Sequence, residues 1–288
     1  MIQLVLNGLA MGCIYALVAL GLLTIFNAVR IVNFGQGQLL MTGAFLGLAT
    51  IVQHRLPFPL AYAATLLAMG AVGLAFMLVA YFPLRGKPPF LVILTTIAMG
   101  IILENLALIV WGPLPRSLPS PFGVQQVGLL GARIPVHMLF IFGVTGTLVG
   151  LQYLFLTRTT FGRMMQATSQ DMEMARLVGI RVARTIAVAF ALGAGFAGAA
   201  GLLVAPMFLA ETSMGGMLGL KGFVVSVLGG FGSLPGAVVA GLILGLVETL
   251  AAGYVSSNFR DAYAFILMVA TLFVWPRGLF GEKISERV

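Results

Sequence analysis

At 288 residues, 60% of them hydrophobic and only 8% charged, the chain excludes an ordinary water-soluble domain. Such a domain carries roughly a quarter charged residues because its surface faces water, so lipid must be the solvent for most of this one. The net charge of +8 does not point to nucleic acid, since the basic residues sit in short loops where the positive-inside rule expects them.

In chain order, the apolar runs predict membrane helices near 4–26, 38–53, 58–82, 90–111, 136–157, 185–208, 236–254 and 261–276. Most of the charge-free intervals around them hold the roughly 20 apolar residues that cross about 30 Å of hydrocarbon. The first run has no positive n-region and exceeds the ~7–15 residues of a signal-peptide core, so it reads as a mature crossing. Cys13 lies inside it and reads as a small buried hydrophobe. A further apolar stretch, 215–231, is rich in Gly and is interrupted before Pro235. It reads either as a crossing or as a re-entrant half-helix, because non-helical backbone at membrane depth needs protein or a water-filled cavity beside it. The expected fold is an all-α, polytopic transmembrane helical bundle of about eight crossings, with a possible broken helix near 215–235. It forms one domain over 1–288 with a polar loop at 158–184.

Lys and Arg give the orientation. If the loop from Arg158 to Arg184 is cytoplasmic and 215–231 is counted as a crossing, alternation puts Arg30, Arg85, Lys87, Arg277, Lys283 and Arg287 on the same side. That makes eleven basic residues inside against five outside: Arg55, Arg116, Arg133, Lys221 and Arg260. An external N-terminus and a cytoplasmic C-terminus follow. Glycines four apart recur at Gly8/Gly12, Gly43/Gly47, Gly215/Gly219, Gly232/Gly236 and Gly241/Gly245, and Gly193, Gly195, Gly198 and Gly201 make a small-residue stripe. In lipid, close backbone approach through small residues drives helix packing, so these predict a tight bundle.

The loop from Arg158 to Arg184 is the longest polar stretch. Thr168 followed by Asp171 fits a capping-box start, and Gly179 fits a stop. The short helix between them sets Asp171, Glu173 and Arg176 beside Met172, Met174, Ala175 and Leu177, a mixture suited to docking another protein. Asn33, Gln36 and Gln38, in the segment NFGQGQ, place amides at the mouth of a helix. Unpaired amides are costly in hydrocarbon, so these either line a pathway or bond between helices. Glu104 and Glu248 are acids embedded in apolar stretches, each a candidate for a substrate or gating role or a structural hydrogen bond. His54 and His137 lie near predicted outer helix ends and read as interfacial residues rather than metal ligands, and Trp111 and Trp275 sit at boundaries.

The stretch GRMMQATSQDMEMARLVGI resembles the cytoplasmic coupling segment of permeases serving branched-chain amino acid ABC importers. Residues 7–45 are similar to that family's N-terminal signature, residues 221–250 to its Gly-rich segment, and WPRGLFG, 275–281, to its closing motif. The resemblance covers essentially the whole chain, and the H-type permease matches best. It implies an M-type partner permease, two ATP-binding subunits docked on the cytoplasmic loops, and a periplasmic solute-binding protein, all at a bacterial inner membrane. It further implies that Gly162, Arg163, Asp171, Glu173, Ala175, Arg176 and Gly179 face the ATPase. No cofactor is expected on this chain. It has no G-x-x-x-x-G-K-[ST] loop, since Gly86-Lys87 is followed by Pro88 without the required upstream Gly, so ATP would be bound by partner subunits.

The implied activity is translocation of leucine, isoleucine, valine or related small amino acids by alternating access. Permeases for urea or short amides are an alternative within the family. An ion-coupled secondary transporter using Glu104 and Glu248 is an alternative outside it. A membrane enzyme ranks last, because no nucleophile–base pair or metal cluster is legible.

Overall fold

The computed structural model describes residues 1–129 and 132–281, so Lys283 and Arg287, counted on the inner side, lie outside the described residues. The chain is a polytopic helical bundle built around α1 (Ile2–Val29). From Ala10 to Ile25 every residue of α1 is buried, as befits a helix apolar on all sides. Around it pack α2 (Gln36–Leu48), α8 (Val182–Val204), α9 (Met214–Gly229) and α10 (Leu234–Tyr254). An outer layer of α3 (Phe58–Phe76), α4 (Pro89–Trp111), α5 (Val136–Arg158) and α11 (Arg260–Val274) is far less buried. Two short helices, α6 (Thr160–Gln170) and α7 (Met172–Leu177), lie between α5 and α8. A helix stands at each of the eight stretches predicted to cross, with ends shifted by a few residues. Seven helices among the described residues are long and apolar enough to cross a membrane. The eighth expected crossing is α2, continued by a π-helical turn to Gln53.

The ambiguous stretch resolves as α9, a helix of 16 residues. At ~1.5 Å per residue it is about 24 Å long, short of the ~30 Å hydrocarbon thickness. Its first turn abuts the first turn of α2 within the bundle: a Cβ on Gly215 would lie 2.7 Å from the Gly37 carbonyl oxygen.

A two-stranded hairpin that hydropathy does not signal, β1 (Gln126–Leu129) and β2 (Ala132–Pro135), pairs antiparallel in the α4–α5 connection. Reciprocal backbone bonds between Arg116 and Ala210, 2.9 and 2.8 Å, tie that connection to the segment after α8. At the other end of the bundle, the Arg30 Nε donates to the Ser169 carbonyl oxygen at 3.2 Å. Arg85 shares a groove there with Arg176 and Arg181. Arg30, Arg85 and the 158–184 segment therefore share one end, as alternation requires. Lys221 does not sit at the opposite end: it is a buried residue of α9, about two turns from either terminus.

The glycine pairs position these helices. Gly8 and Gly12 of α1 face Gly245 and Gly241 of α10, so closely that a Cβ on Gly12 would sit 2.8 Å from the Gly241 carbonyl oxygen. No flexible side chain intervenes, and the obstacle is backbone. In the α8 stripe Gly193, Gly198 and Gly201 meet α1, α3 and α2, whereas Gly195 has open space beside it. We expect Gly12→Ala to destabilise the bundle by about 1–3 kcal/mol, the usual cost of overpacking. Gly195→Ala should be neutral. Unfolding in mixed micelles, followed by circular dichroism, checks the contrast, and equal effects at both positions would refute the assigned contact.

Candidate functional site

At the Arg30 end, α6 and α7 form one exposed feature. The Thr159 hydroxyl accepts from the Gly162 N–H at 3.0 Å and starts α6 earlier than the Thr168–Asp171 pattern suggested. Gly162, Met165 and Thr168 then face inward on one side of α6. Thr168 is thus an interior helical residue and no cap. Asp171 is itself the cap of α7, its Oδ1 accepting from the N–H groups of Glu173 and Met174 at 2.8 and 3.0 Å. Gly179 ends α7 with φ of 86°, and the Ile180 N–H returns to the Ala175 carbonyl oxygen at 3.0 Å. This is the left-handed stop that glycine permits without a Cβ clash.

Of the seven residues assigned to this face, Arg163, Asp171, Glu173, Arg176 and Gly179 are exposed. Gly162 and Ala175 are corrected: both are buried, Gly162 against the last turns of α5. Sequence reasoning passed over Val178, which is 76% exposed beside Leu177 at 80%. Two exposed apolar side chains next to charged ones are the signal it lacked. Grooves of about 690 Å³, bordered by Arg85, Glu173 and Arg176, and about 360 Å³, bordered by Arg30, Gln166 and Ser169, flank the pair.

At Arg30, in the left-handed region with φ of 56°, the chain leaves helical geometry, and by Asn33 it has turned back into the bundle. Asn33 and Gln36 are both 1% exposed. The Asn33 Oδ1 accepts from the Gly35 N–H at 3.0 Å, and its Nδ2 donates to the Gln36 Oε1 at 3.4 Å. The Gln36 Nε2 donates to the Gly193 carbonyl oxygen at 2.9 Å. Gly193 lies eleven residues into α8, about 16 Å from its start, so this non-helical backbone reaches membrane depth. Such backbone is tolerated where it is buried in protein or lines a cavity. A cavity of about 200 Å³ lies there, bordered by Asn33, Gln36 and Gln38 together with Phe34, Ile97 and Phe223. Asn33 and Gln36 therefore both bond between elements and border a cavity. Gln38 borders the cavity and leans over Gly100 of α4.

The two embedded acids differ. Glu104 is half-buried on α4 without a polar partner among the described residues, and Asn105 bonds to its own helix at the Ile101 carbonyl oxygen, 2.8 Å. Glu248 of α10 is buried at the centre of an ionic network. Its Oε1 contacts the Lys221 Nζ at 2.8 Å and the Arg260 Nε at 2.5 Å, and its Oε2 accepts from the Tyr15 hydroxyl at 2.9 Å. Lys221 also reaches the Asp261 Oδ1 at 2.7 Å. Two acids and two bases thus join α9, α10 and the first turn of α11, with α1 attached through Tyr15. Lys221 and Arg260, counted outside by charge alone, belong to this network. An acid and a base in neighbouring apolar helices are each other's natural counter-ions, and that pairing was the missed clue.

Of the histidines, His54 is exposed beyond the π-helical turn, but His137 is buried, its Nε2 2.9 Å from the Leu203 carbonyl oxygen. The closing segment after α11 folds back onto α9: the Leu279 and Phe280 N–H groups donate to the carbonyl oxygens of Leu228 and Gly229 at 2.8 and 3.1 Å.

A helical membrane bundle with an amide-bordered cavity at membrane depth and an exposed, part-apolar helix pair at one end defines a polytopic transport-type membrane protein. Residues 4–274 match the family described as branched-chain amino acid transport system / permease component, and the chain belongs to that family. As a permease component it works with other components of an ABC transport system. It is 31% identical to the high-affinity branched-chain amino acid transport system permease protein LivH of Escherichia coli K12, over 100% of this chain and 97% of that one. Its identity to BraD of Pseudomonas aeruginosa, a protein of the same description, is also 31%, over 100% and 98%. The probable LivH of Methanocaldococcus jannaschii is 27% identical over 92% and 88%.

Removing one partner of a buried ion pair costs about 3–5 kcal/mol, because the other charge is left uncompensated. We expect Glu248→Ala to destabilise the protein on that scale, and the paired change Lys221→Met with Glu248→Met to cost markedly less. Denaturation of the purified protein in mixed micelles checks this. A double variant as unstable as the sum of the singles would show that the charges do not interact.

Proposed function

We propose that the chain is the H-type permease subunit of an ATP-driven importer of leucine, isoleucine, valine or closely related amino acids, working by alternating access and carrying out no chemistry of its own. In this reading it pairs with an M-type permease in a bacterial inner membrane, N-terminus outside and C-terminus inside. Two ATP-binding subunits grip α6 and α7, and a periplasmic binding protein delivers the solute. The relatives' shared description as branched-chain amino acid permeases supports the substrate class. The ion-coupled alternative loses its best candidate, since Glu248 is engaged by Lys221 and Arg260.

The observation that carries the mechanism is the hydrogen bond from Arg30 to Ser169. It joins α6 to the linker that holds Asn33, Gln36 and Gln38 at the cavity they border. A push on α6 and α7 by closing ATP-binding subunits therefore has a direct route to those amides. Arg163, Asp171, Glu173, Arg176 and Gly179 supply the polar part of the docking face, and Leu177 and Val178 its apolar part. Asn33, Gln36 and Gln38 border the solute path, and Phe34, Ile97 and Phe223 offer apolar surface for a branched side chain. Glu104 is assigned to a part of the path completed by the partner permease.

Reversing charge at Arg176 together with Val178→Asp should abolish ATP-driven uptake in proteoliposomes, by at least tenfold, while the protein stays folded in the membrane. Pull-down with the ATP-binding subunits measures the docking separately. Uptake at the normal rate with both changes present would refute the coupling face. Transport insensitive to vanadate but stopped at once by an uncoupler would refute the ATP-driven reading.

A further inference from the structure

At the end of the bundle opposite α6 and α7, a cavity of about 350 Å³ opens between the first turns of α1, the segment after α8 and the last turns of α10. Nothing in the proposed coupling face or amide cavity uses it. Its apolar walls are Leu4, Met11, Met207 and Phe208, and Asn7, Thr249 and Arg260 bring polar groups to it. The state of Arg260 gives the cavity chemical meaning. Glu248 holds its Nε, and among the described residues no hydrogen bond is made by its two terminal amines. A guanidinium presents five N–H donors in a rigid fork, so an Arg gripped at Nε still offers its outer edge for two parallel bonds to a second carboxylate. The Thr249 hydroxyl oxygen is buried and has no partner either.

We infer that this cavity is an outer recognition subsite for an α-amino acid with an apolar side chain. Arg260 binds the carboxylate, Thr249 donates a further hydrogen bond to it, and Met11, Met207 and Phe208 receive the side chain. The assignment rests on the proposed transport of such solutes and adds a station to it. Two further features fit. Thioether and aromatic walls adapt to side chains of differing branching. The cavity also lies on a strip of α1 that leads inward: Leu4, Met11, Tyr15 and Leu22 share one face, Leu4 and Leu22 being about five full turns apart, and Leu22 borders the amide cavity. The ionic network holds Arg260 in place from behind, which makes Glu248, Lys221 and Tyr15 positioning residues for the subsite.

The anion chemistry of Arg260 is shared by a carboxylate and by a lipid phosphate, and the experiment separates the two. The full-length protein, labelled with ¹³C-methyl methionine and placed in phosphatidylcholine nanodiscs, reports through Met11 and Met207, assigned with Met11→Leu and Met207→Leu variants. Titration with L-leucine should shift both signals, saturating at ~1 mM, the weak affinity suited to passing a solute on. Leucinamide, which keeps the side chain and ammonium but lacks the carboxylate, should leave them unmoved. Arg260→Lys should weaken the leucine effect about tenfold, since a point charge cannot make the paired bonds. Thr249→Val, which leaves the ionic network intact, should weaken it about threefold. Equal shifts with leucinamide, or none with leucine, would overturn the assignment. A shift produced instead by exchanging phosphatidylcholine for phosphatidylglycerol would give Arg260 to lipid. ATP-driven leucine uptake by the assembled transporter is read independently. Uptake without the methionine shifts sinks the subsite alone, and shifts without any ATP-driven uptake sink the transport reading.

Discussion

Backbone-to-backbone contact along α1 is the constraint on which the remaining structure depends. In lipid, apolar side chains gain little from hiding against one another, so helices associate where they come close enough for van der Waals contact between main chains. Gly8 and Gly12 meet Gly245 and Gly241, and Gly193 of α8 meets α1 beside Gly21. With α1 clamped between α10 and α8, the outer helices need only cover the remaining faces. Their residues are correspondingly exposed to lipid or to neighbours. The clamp also lets polar chemistry exist inside, because rigid walls fix where each polar group finds its partner.

Two polar systems occupy those walls, and they differ in kind. The Tyr15–Glu248–Lys221–Arg260–Asp261 network is charge-balanced and ties together four helices. Balance is what makes it tolerable, since an isolated charge in a medium of low polarity is expelled or neutralised. The Asn33–Gln36 cluster is uncharged and borders a cavity. The non-helical stretch is held at membrane depth by the Gln36 amide donating to the Gly193 carbonyl oxygen of α8 and by the Phe34 N–H donating to the Thr96 hydroxyl of α4 at 3.2 Å. One system fixes helices against each other and the other pins a non-helical turn beside a cavity.

Much of this was legible in the sequence, and the failures have physical causes. Long apolar runs located the membrane helices because nothing else places twenty such residues together in a protein of this size. The glycine pairs foretold tight contact, although Gly195, spaced like its neighbours, faces open space, since spacing does not say which face of α8 meets another helix. Lys221 was misplaced because counting charges by loop treats every lysine as an end marker. The residue pairs instead with an acid on the next helix. The Thr168–Asp171 pattern misled because two capping residues three apart serve either one helix or the boundary of two. Thr159 had already begun a helix upstream, and the inward face of Gly162, Met165 and Thr168 held it through Gln170. Gly162 and Ala175 were assigned outward because a motif carries identities without directions. Only the fold shows that small residues there allow close packing, while Leu177 and Val178 stand exposed.

The arrangement suggests why a chain of this kind keeps a helix as short as α9. A full crossing at that place would fill the space beside the first turn of α2 with side chains. Because α9 begins within the bundle, with Gly215 and Gly219 lying against Gly37, two helix beginnings meet at one depth, and the Asn33–Gln38 turn is packed between them and α4. Phe34 and Phe223 touch there, their ring centroids 5.4 Å apart. The other end of α9 is gripped by the closing segment through Leu228 and Gly229. The turn is thus held between a helix start that borders the cavity and a helix whose far end is anchored, at a place where glycines replace bulk and backbone replaces side chain.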